Sequence, residues 1–182
     1  MAAKTLITVE QFRDMAEDDA HRFELVHGEL IEMASPTLRH NRIRGNVARA
    51  LIPPVEGTLR GIVAEEVDVR LGDDTVRRPD VIVLTADQVA RLESQEQYPV
   101  PFAPALAIEV LSPNDKFQAV LEKALEYLAA GTTLVWIFVA RPLREVHVLD
   151  GVTHRVVSQD EFLEAPEIIP GFHVRAGDLF QT

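Results

Sequence analysis

Cysteine is absent from the 182-residue sequence, so neither a disulfide framework nor a thiolate metal cluster can organise the chain. Long apolar runs are absent too. The longest, Leu134 to Ala140, falls far short of the roughly 20 residues a membrane helix needs, and the opening Met1 to Leu6 lacks the apolar stretch of a signal peptide. The expectation is a cytoplasmic protein with no membrane partner. Positive charge is scarce: 18 Lys plus Arg against 29 Asp plus Glu leave a net charge of −11. Bulk charge therefore cannot bring this protein to nucleic acid; only a local basic patch could. No Gly-rich phosphate loop, no Gly-x-Ser-x-Gly and no zinc-type histidine pair occurs, which argues against a nucleotide kinase, a serine hydrolase and a zincin. With no repeat and no low-complexity tract, residues 1–182 are expected to fold as a single domain that is large enough to build a full core without staples.

What is present reads as alternating helices and strands. Thr8 and Gln11 have capping-box spacing ahead of a short helix over 9–17. Residues 23–33 read as a hairpin turning at His27-Gly28. Ile43, Val47, Ala50 and Leu51 recur at helical spacing over 37–52, and Pro53-Pro54 is expected to end that helix. Two strands follow, 62–71 and 76–84, as an antiparallel pair across Gly72-Asp73-Asp74. A weak helix over 86–93 and a proline-rich loop over 95–104 lead to a buried strand, 105–111. Ser112-Pro113-Asn114 reads as a cap for a helix whose apolar face is Phe117, Val120, Leu121, Ala124, Leu125 and Leu128, with Gly131 past its end. A buried strand over 133–140 precedes a hairpin of 144–149 with 152–157 across Asp150-Gly151, and the tail 166–180 reads as turn-rich. The order α-β-β-β-α-β, with extra N- and C-terminal hairpins, is that of an α/β or α+β layered domain.

Two acids stand out because of where they fall. Asp80 lies in one predicted strand and Glu109 in the next, each among apolar residues. Buried carboxylates repel one another and lose hydration, so a pair persists only with a cation, a basic partner or a shared proton. Two carboxylates, a main-chain carbonyl and waters suit Mg²⁺ or Mn²⁺, which can activate water and polarise a phosphodiester. The competing reading is structural: Asp80 ends an edge strand and Glu109 pairs with an arginine.

Glu24-Leu-Val-His-Gly-Glu29, Arg77-Arg-Pro-Asp80-Val-Ile-Val, Ile108-Glu109-Val-Leu-Ser-Pro113, the helix bearing Lys123 and Tyr127 before Gly131, and Leu134-Val-Trp-Ile-Phe-Val139 together resemble the Uma-two endonuclease family. That family belongs to the restriction-endonuclease-like PD-(D/E)XK superfamily. The resemblance runs from about Glu10 to Phe180 and implies a restriction-endonuclease-like core in a mixed sheet flanked by helices, with Mg²⁺-dependent cleavage of DNA. It makes Asp80 and Glu109 the metal ligands. The motif's third position is Leu111 rather than lysine, so Lys123 from the following helix takes that role, orienting the attacking water or offsetting charge on the phosphate. Helix spacing alone favours a solvated lysine beside Glu122 and Glu126. The family usually has an aspartate four residues before this lysine; here that residue is Ala119, and Asp115 lies one turn earlier.

Glu29 matches the family's Gly-Glu and is a further catalytic carboxylate on this reading, Glu24 having a weaker claim; both also suit the polar face of a hairpin. His40 could contact phosphate or cap its helix. Residues 36–52 contain arginines and no acid, and Arg39, Arg42 and Arg49 fall closer together on an ideal helix than Arg44 does. With His40 they are the expected nucleic-acid contacts, with a solvated helix face as the alternative. The expected function is a Mg²⁺-dependent endonuclease acting on DNA as a homodimer. The alternative is a catalytically degenerate nuclease fold serving as a nucleic-acid-binding or assembly module, which Ala119 and the acidic charge favour.

Overall fold

Thr8 closes its capping box with Gln11: the hydroxyl accepts from the Gln11 amide at 3.2 Å and the Gln11 side chain accepts from the Thr8 amide at 2.8 Å. Helix α1 (Val9–Arg13) starts there. The structure is a computed structural model, and it describes residues 6–15, 22–93, 98–113 and 115–181; the end of the expected first helix and the Asn114 cap lie outside them. His27 and Gly28 both take positive φ, 49° and 79°. That turn follows the twist of the strands it joins, β1 (Phe23–Val26) and β2 (Glu29–Glu32). A Cβ at Gly28 would come within 2.9 Å of the Leu6 Cβ, so glycine is required for space as well as for φ.

Thr37 caps α2 (Leu38–Ile52) by accepting from the His40 amide at 3.2 Å, and Ile43, Val47, Ala48 and Leu51 form its buried stripe. Pro53-Pro54 does not end the coil as expected. The chain widens into a π-helical turn, Pro53–Thr58, and the Leu59 amide reaches the Pro54 and Val55 carbonyls at 3.2 Å each. The two prolines lack amides to extend the α2 ladder but stand at the first positions of the new turn, where a missing amide is tolerated.

Each strand of the expected antiparallel pair is broken in two: β3 (Ile62–Glu65) and β4 (Val69–Arg70), then β5 (Val76–Arg77) and β6 (Val81–Leu84). Glu66, at φ 53°, turns the first; Pro79, with no amide to donate, interrupts the second. The outer halves join the N-terminal hairpin in a small sheet ordered β2-β1-β5-β4. The inner halves build the main sheet, completed by β7 (Leu106–Val110), β8 (Leu134–Val139), β9 (Glu145–Leu149) and β10 (His154–Ser158). Its order is β10-β9-β8-β7-β6-β3. Only β7 and β8 in it run parallel, and the parallel step needs a crossover, which α4 (Phe117–Ala129) provides. Helix α3 (Ala86–Glu93) follows β6. The α-β-β-β-α-β order is therefore present as α2, β3, β6, β7, α4 and β8.

Three local readings need correction. The hairpin across Asp150-Gly151 has a wider loop than expected, Leu149 pairing with His154, because Asp150 accepts from the amides of Val152 and Thr153. The tail is not simply turn-rich: β11 (Phe162–Ala165) pairs with β12 (Ile169–Arg175), and α5 (Ala176–Leu179) follows. Leu125 of the expected apolar face of α4 is half exposed, while Tyr127 is fully buried. The helix begins after Lys116 with no side-chain cap bond. No helix among the described residues is long and apolar enough to cross a membrane.

Candidate active site

Extending the β6–β7 register, in which Val81 faces Ile108 and Ile82 faces Ala107, puts Asp80 opposite Glu109. Both side chains then project on the α4 face of the sheet. The Val110 amide donates to Asp80 Oδ2 at 2.7 Å, and His40 Nε2, from the first turn of α2, lies 3.1 Å from the same oxygen. On the other side, Lys123 Nζ and the Tyr127 hydroxyl both reach Glu109 Oε1 at 2.8 Å. Lys123 and Tyr127 are four residues apart, one above the other on α4. Ala119 continues the stripe upward, exposed at the cleft.

Glu24 is the residue that sequence reasoning ranked too low. It is buried, and its Oε1 takes Lys123 Nζ and the Arg78 amide at 2.8 Å each, while Oε2 takes Arg77 Nη1 at 2.9 Å. The Arg77 guanidinium also holds Glu126 of α4 through two bonds of 2.8 Å. Beneath this layer Arg78 is clamped to buried Asp68 at 2.6 and 2.8 Å, and Tyr98 donates to the same carboxylate. Asp115 is occupied elsewhere, accepting from the Ser112 amide at 2.8 Å, and Gln118 bonds Glu122.

The electrostatics follow from crowding. Burial pushes Glu109 up to about 7; Lys123 pulls it down, but Asp80 and Glu24 add to the rise. Glu24 is buried as well, yet Lys123 and Arg77 outweigh desolvation and hold it below the usual carboxylate range. Burial opposes the charge on Lys123, and Glu109 and Glu24 more than reverse that, so its pKa is raised. Tyr127 is raised by burial and by Glu109. For His40 desolvation is outweighed by its bond to Asp80, and the imidazole is raised.

These residues floor an open cleft of about 820 Å³. Asp80, Glu109, Lys123 and His40 line it together, as does Glu24. Glu29 does not: it sits beside the hairpin turn, opposite Val26, on the Glu24 side of the hairpin but further along. Nor do Arg39, Arg42 and Arg49. The α2 arginine in the cleft is Arg44, which sequence reasoning set apart. Arg49 instead bonds Asn46. The signal for Arg44 was its place four residues after His40, beside the buried stripe of Ile43 and Val47. Elsewhere, His147 and His154 meet across β9 and β10 at 2.8 Å, but no group of three His, Asp or Glu side chains among the described residues is placed to hold a metal.

A family model described as "Uma2: Putative restriction endonuclease" matches residues 9–177. Among solved structures, "a putative nuclease belonging to DUF820" from Anabaena variabilis superposes with a TM-score of 0.84 at 24% identity, covering 96% of this chain and 97% of that one. No curated protein matches.

Proposed function

Since the chain belongs to the Uma2 family and its mixed sheet flanked by helices is the restriction-endonuclease-like fold, we propose that it is a metal-dependent endonuclease hydrolysing phosphodiester bonds of DNA. The observation that carries this reading is the juxtaposition of Asp80 and Glu109 on adjacent strands at the floor of an open cleft, with the Lys123 ammonium 2.8 Å from Glu109. The donor set fits a hard divalent cation. Asp80 Oδ1 and Glu109 Oε2 have no partner among the described residues, and the crowding that raises Glu109 is what a cation between the carboxylates relieves. No group of three His, Asp or Glu side chains among the described residues is arranged to hold a metal, so main-chain oxygen and water would complete the shell, a composition that suits Mg²⁺ or Mn²⁺. Bound there, the ion supplies an activated water and Lewis-acid stabilisation of the phosphoryl oxygens.

The chain's own groups have separable tasks. Lys123 stays protonated, so it serves as a fixed positive charge toward the developing negative charge on the phosphate rather than as a base. Tyr127 and the Val110 amide fix the two carboxylates by donating to one oxygen of each. Glu24 positions Lys123, and its place in the structure weakens the degenerate-fold alternative: it holds the ammonium from the hairpin although position 119 is alanine.

The test is nicking of supercoiled plasmid with Mg²⁺ or Mn²⁺, with Asp80→Asn and Glu109→Gln run beside the parent. Cleavage by the parent alone is expected. Equal cleavage by all three, or none by the parent with no Mn²⁺ binding in calorimetry, would overturn the reading.

One centre hydrolyses one phosphodiester, so cutting both strands calls for two copies related by a two-fold axis. The free edge at β10 suits that role. Val146 and Val148 are used by the protein's own core, whereas Val152 and Val156 are exposed. Light scattering is expected to give twice the 20.3 kDa chain mass; a monomer at micromolar concentration removes the dimer.

A further inference from the structure

Most cations of the cleft are already committed to carboxylates in or beneath its floor: Lys123 to Glu24 and Glu109, Arg77 to Glu24 and Glu126, Arg78 to Asp68. The rim is different. Glu66 Oε1 lies 2.9 Å from Arg22 Nη1 and 2.6 Å from Arg44 Nη1, and Glu65 Oε2 takes Arg44 Nε at 2.8 Å. One carboxylate oxygen thus sits within ion-pair distance of two guanidinium groups that come from separate segments, hydrogen-bonded to the first. Glu66 holds this place with a left-handed backbone, φ 53°, and its amide donates to the Asp80 carbonyl at 3.2 Å. The bridge therefore starts from the strand end that carries the catalytic aspartate. Across the cleft, at the start of α4, the exposed Lys116 side chain has no partner among the described residues.

Resting on the nuclease reading above, we propose that Arg22 and Arg44 on one wall and Lys116 on the other grip the phosphodiester backbone beside the reacting phosphate. Glu65 and Glu66 hold the two arginines in the free protein as an internal anion that the strand displaces. A guanidinium pair around a single oxyanion is a geometry that a phosphate oxygen can adopt. The exchange is feasible because these pairs face solvent: Arg22 is 47% and Glu66 28% exposed, and open ion pairs are worth little. Arg44, only 16% exposed, supplies a fixed position that a free surface arginine would lack. The carboxylates also explain how a chain of net charge −11 can carry a strand-binding wall: it is neutral until the backbone enters.

Binding is measured on the full chain with metal chelated, so that nothing is cut, by anisotropy of a labelled short DNA duplex and its RNA counterpart between about 50 and 200 mM salt. Glu66→Gln is expected to bind about three- to tenfold tighter than the parent. Arg44→Gln is expected to bind about tenfold or more weaker, with the salt slope reduced by about one. In the double variant the gain from Glu66→Gln should shrink to that from Arg22 alone, whereas Lys116→Gln should weaken binding without altering that gain. The gain should appear on both duplexes, because the phosphate charge is common to them. Binding by the parent with no gain in Glu66→Gln, its melting temperature unchanged, overturns this inference and leaves the nuclease reading standing. Unchanged binding with a lowered melting temperature reduces the bridge to a structural staple and also overturns it. No binding by any variant at low salt removes both.

Discussion

The two faces of the main sheet are built from alternate residues of the same strands and are sealed in opposite ways. Toward α2, Val81, Val83, Ile108, Val110, Trp136 and Phe138 close a dry layer with the C-terminal segment. Trp136 stacks on Phe172 at 6.0 Å and Phe138 tilts against Phe180 at 5.4 Å. Toward α4, Ile82, Ala107, Val135 and Ile137 pack against Ala124 and Tyr127, but the strand ends turn polar at Asp80 and Glu109. There three carboxylates share an ammonium and a guanidinium. One face is held by apolar area and is indifferent to charge; the other is held by a balance of charges that any single substitution upsets.

The sharpest way to break that comparison is Glu109→Gln, which should lower the cutting rate about 10³-fold, roughly 4 kcal/mol of transition-state stabilisation. The readout is plasmid nicking normalised to folded protein; a loss that merely tracked unfolding would make the polar face a structural element like the other. Next comes Trp136→Ala on the dry face. It should cost about 3–5 kcal/mol of folding stability while leaving the rate per folded molecule unchanged, as denaturant unfolding and nicking on the same samples would reveal.

The smallest effect expected is a pH dependence confined to the polar face. Glu109 is pushed up to about 7 from an ordinary 4.5. A carboxyl that holds its proton more tightly folded than unfolded contributes stability that is fully present below about pH 4.5 and lost as pH rises through about 7. Glu24, held low, has the opposite sign and loses its contribution as pH falls. In chelating buffer the thermal midpoint should therefore decline across pH 4.5 to 7, and Glu109→Gln should flatten the decline. A profile that is the same with and without Glu109 would show that its environment is less crowded than the geometry implies.

That Asp80 and Glu109 meet was legible in the sequence because each acid falls inside an apolar strand and the two strands are consecutive in the main sheet. Lys123 was legible only through family resemblance, since helix spacing alone favours a solvated lysine beside Glu122 and Glu126. Which arginine of α2 lines the cleft could not be read from the sequence for a geometric reason. Helical spacing tells which of them share an arc, but not which arc meets the sheet; the arc continuing from the buried stripe, through His40 and Arg44, is the one that does. Glu24 was underweighted because its partners, Arg77, Arg78 and Lys123, are 53 or more positions away. The strand β12 was hidden by Pro170-Gly171 inside it, a pair that reads as a turn and that an edge strand of a two-stranded sheet tolerates.

Arg77 joins β5 of the small sheet to α4 and, through Glu24, to β1. Among the described residues the small sheet's own cluster is small: buried Val9, Phe12, Leu25 and Val76, with Ile7 and Phe23 packed against them. With so small a cluster it is expected to open at lower free energy than the main sheet, its amides exchanging with solvent before those of β7 and β8 in a hydrogen-exchange measurement. Each opening withdraws Glu24 from Lys123 and leaves the ammonium with Glu109 alone. The N-terminal hairpin thus helps set the charge around Lys123, and a side chain forced in at position 28, against Leu6, would be felt at Lys123 Nζ.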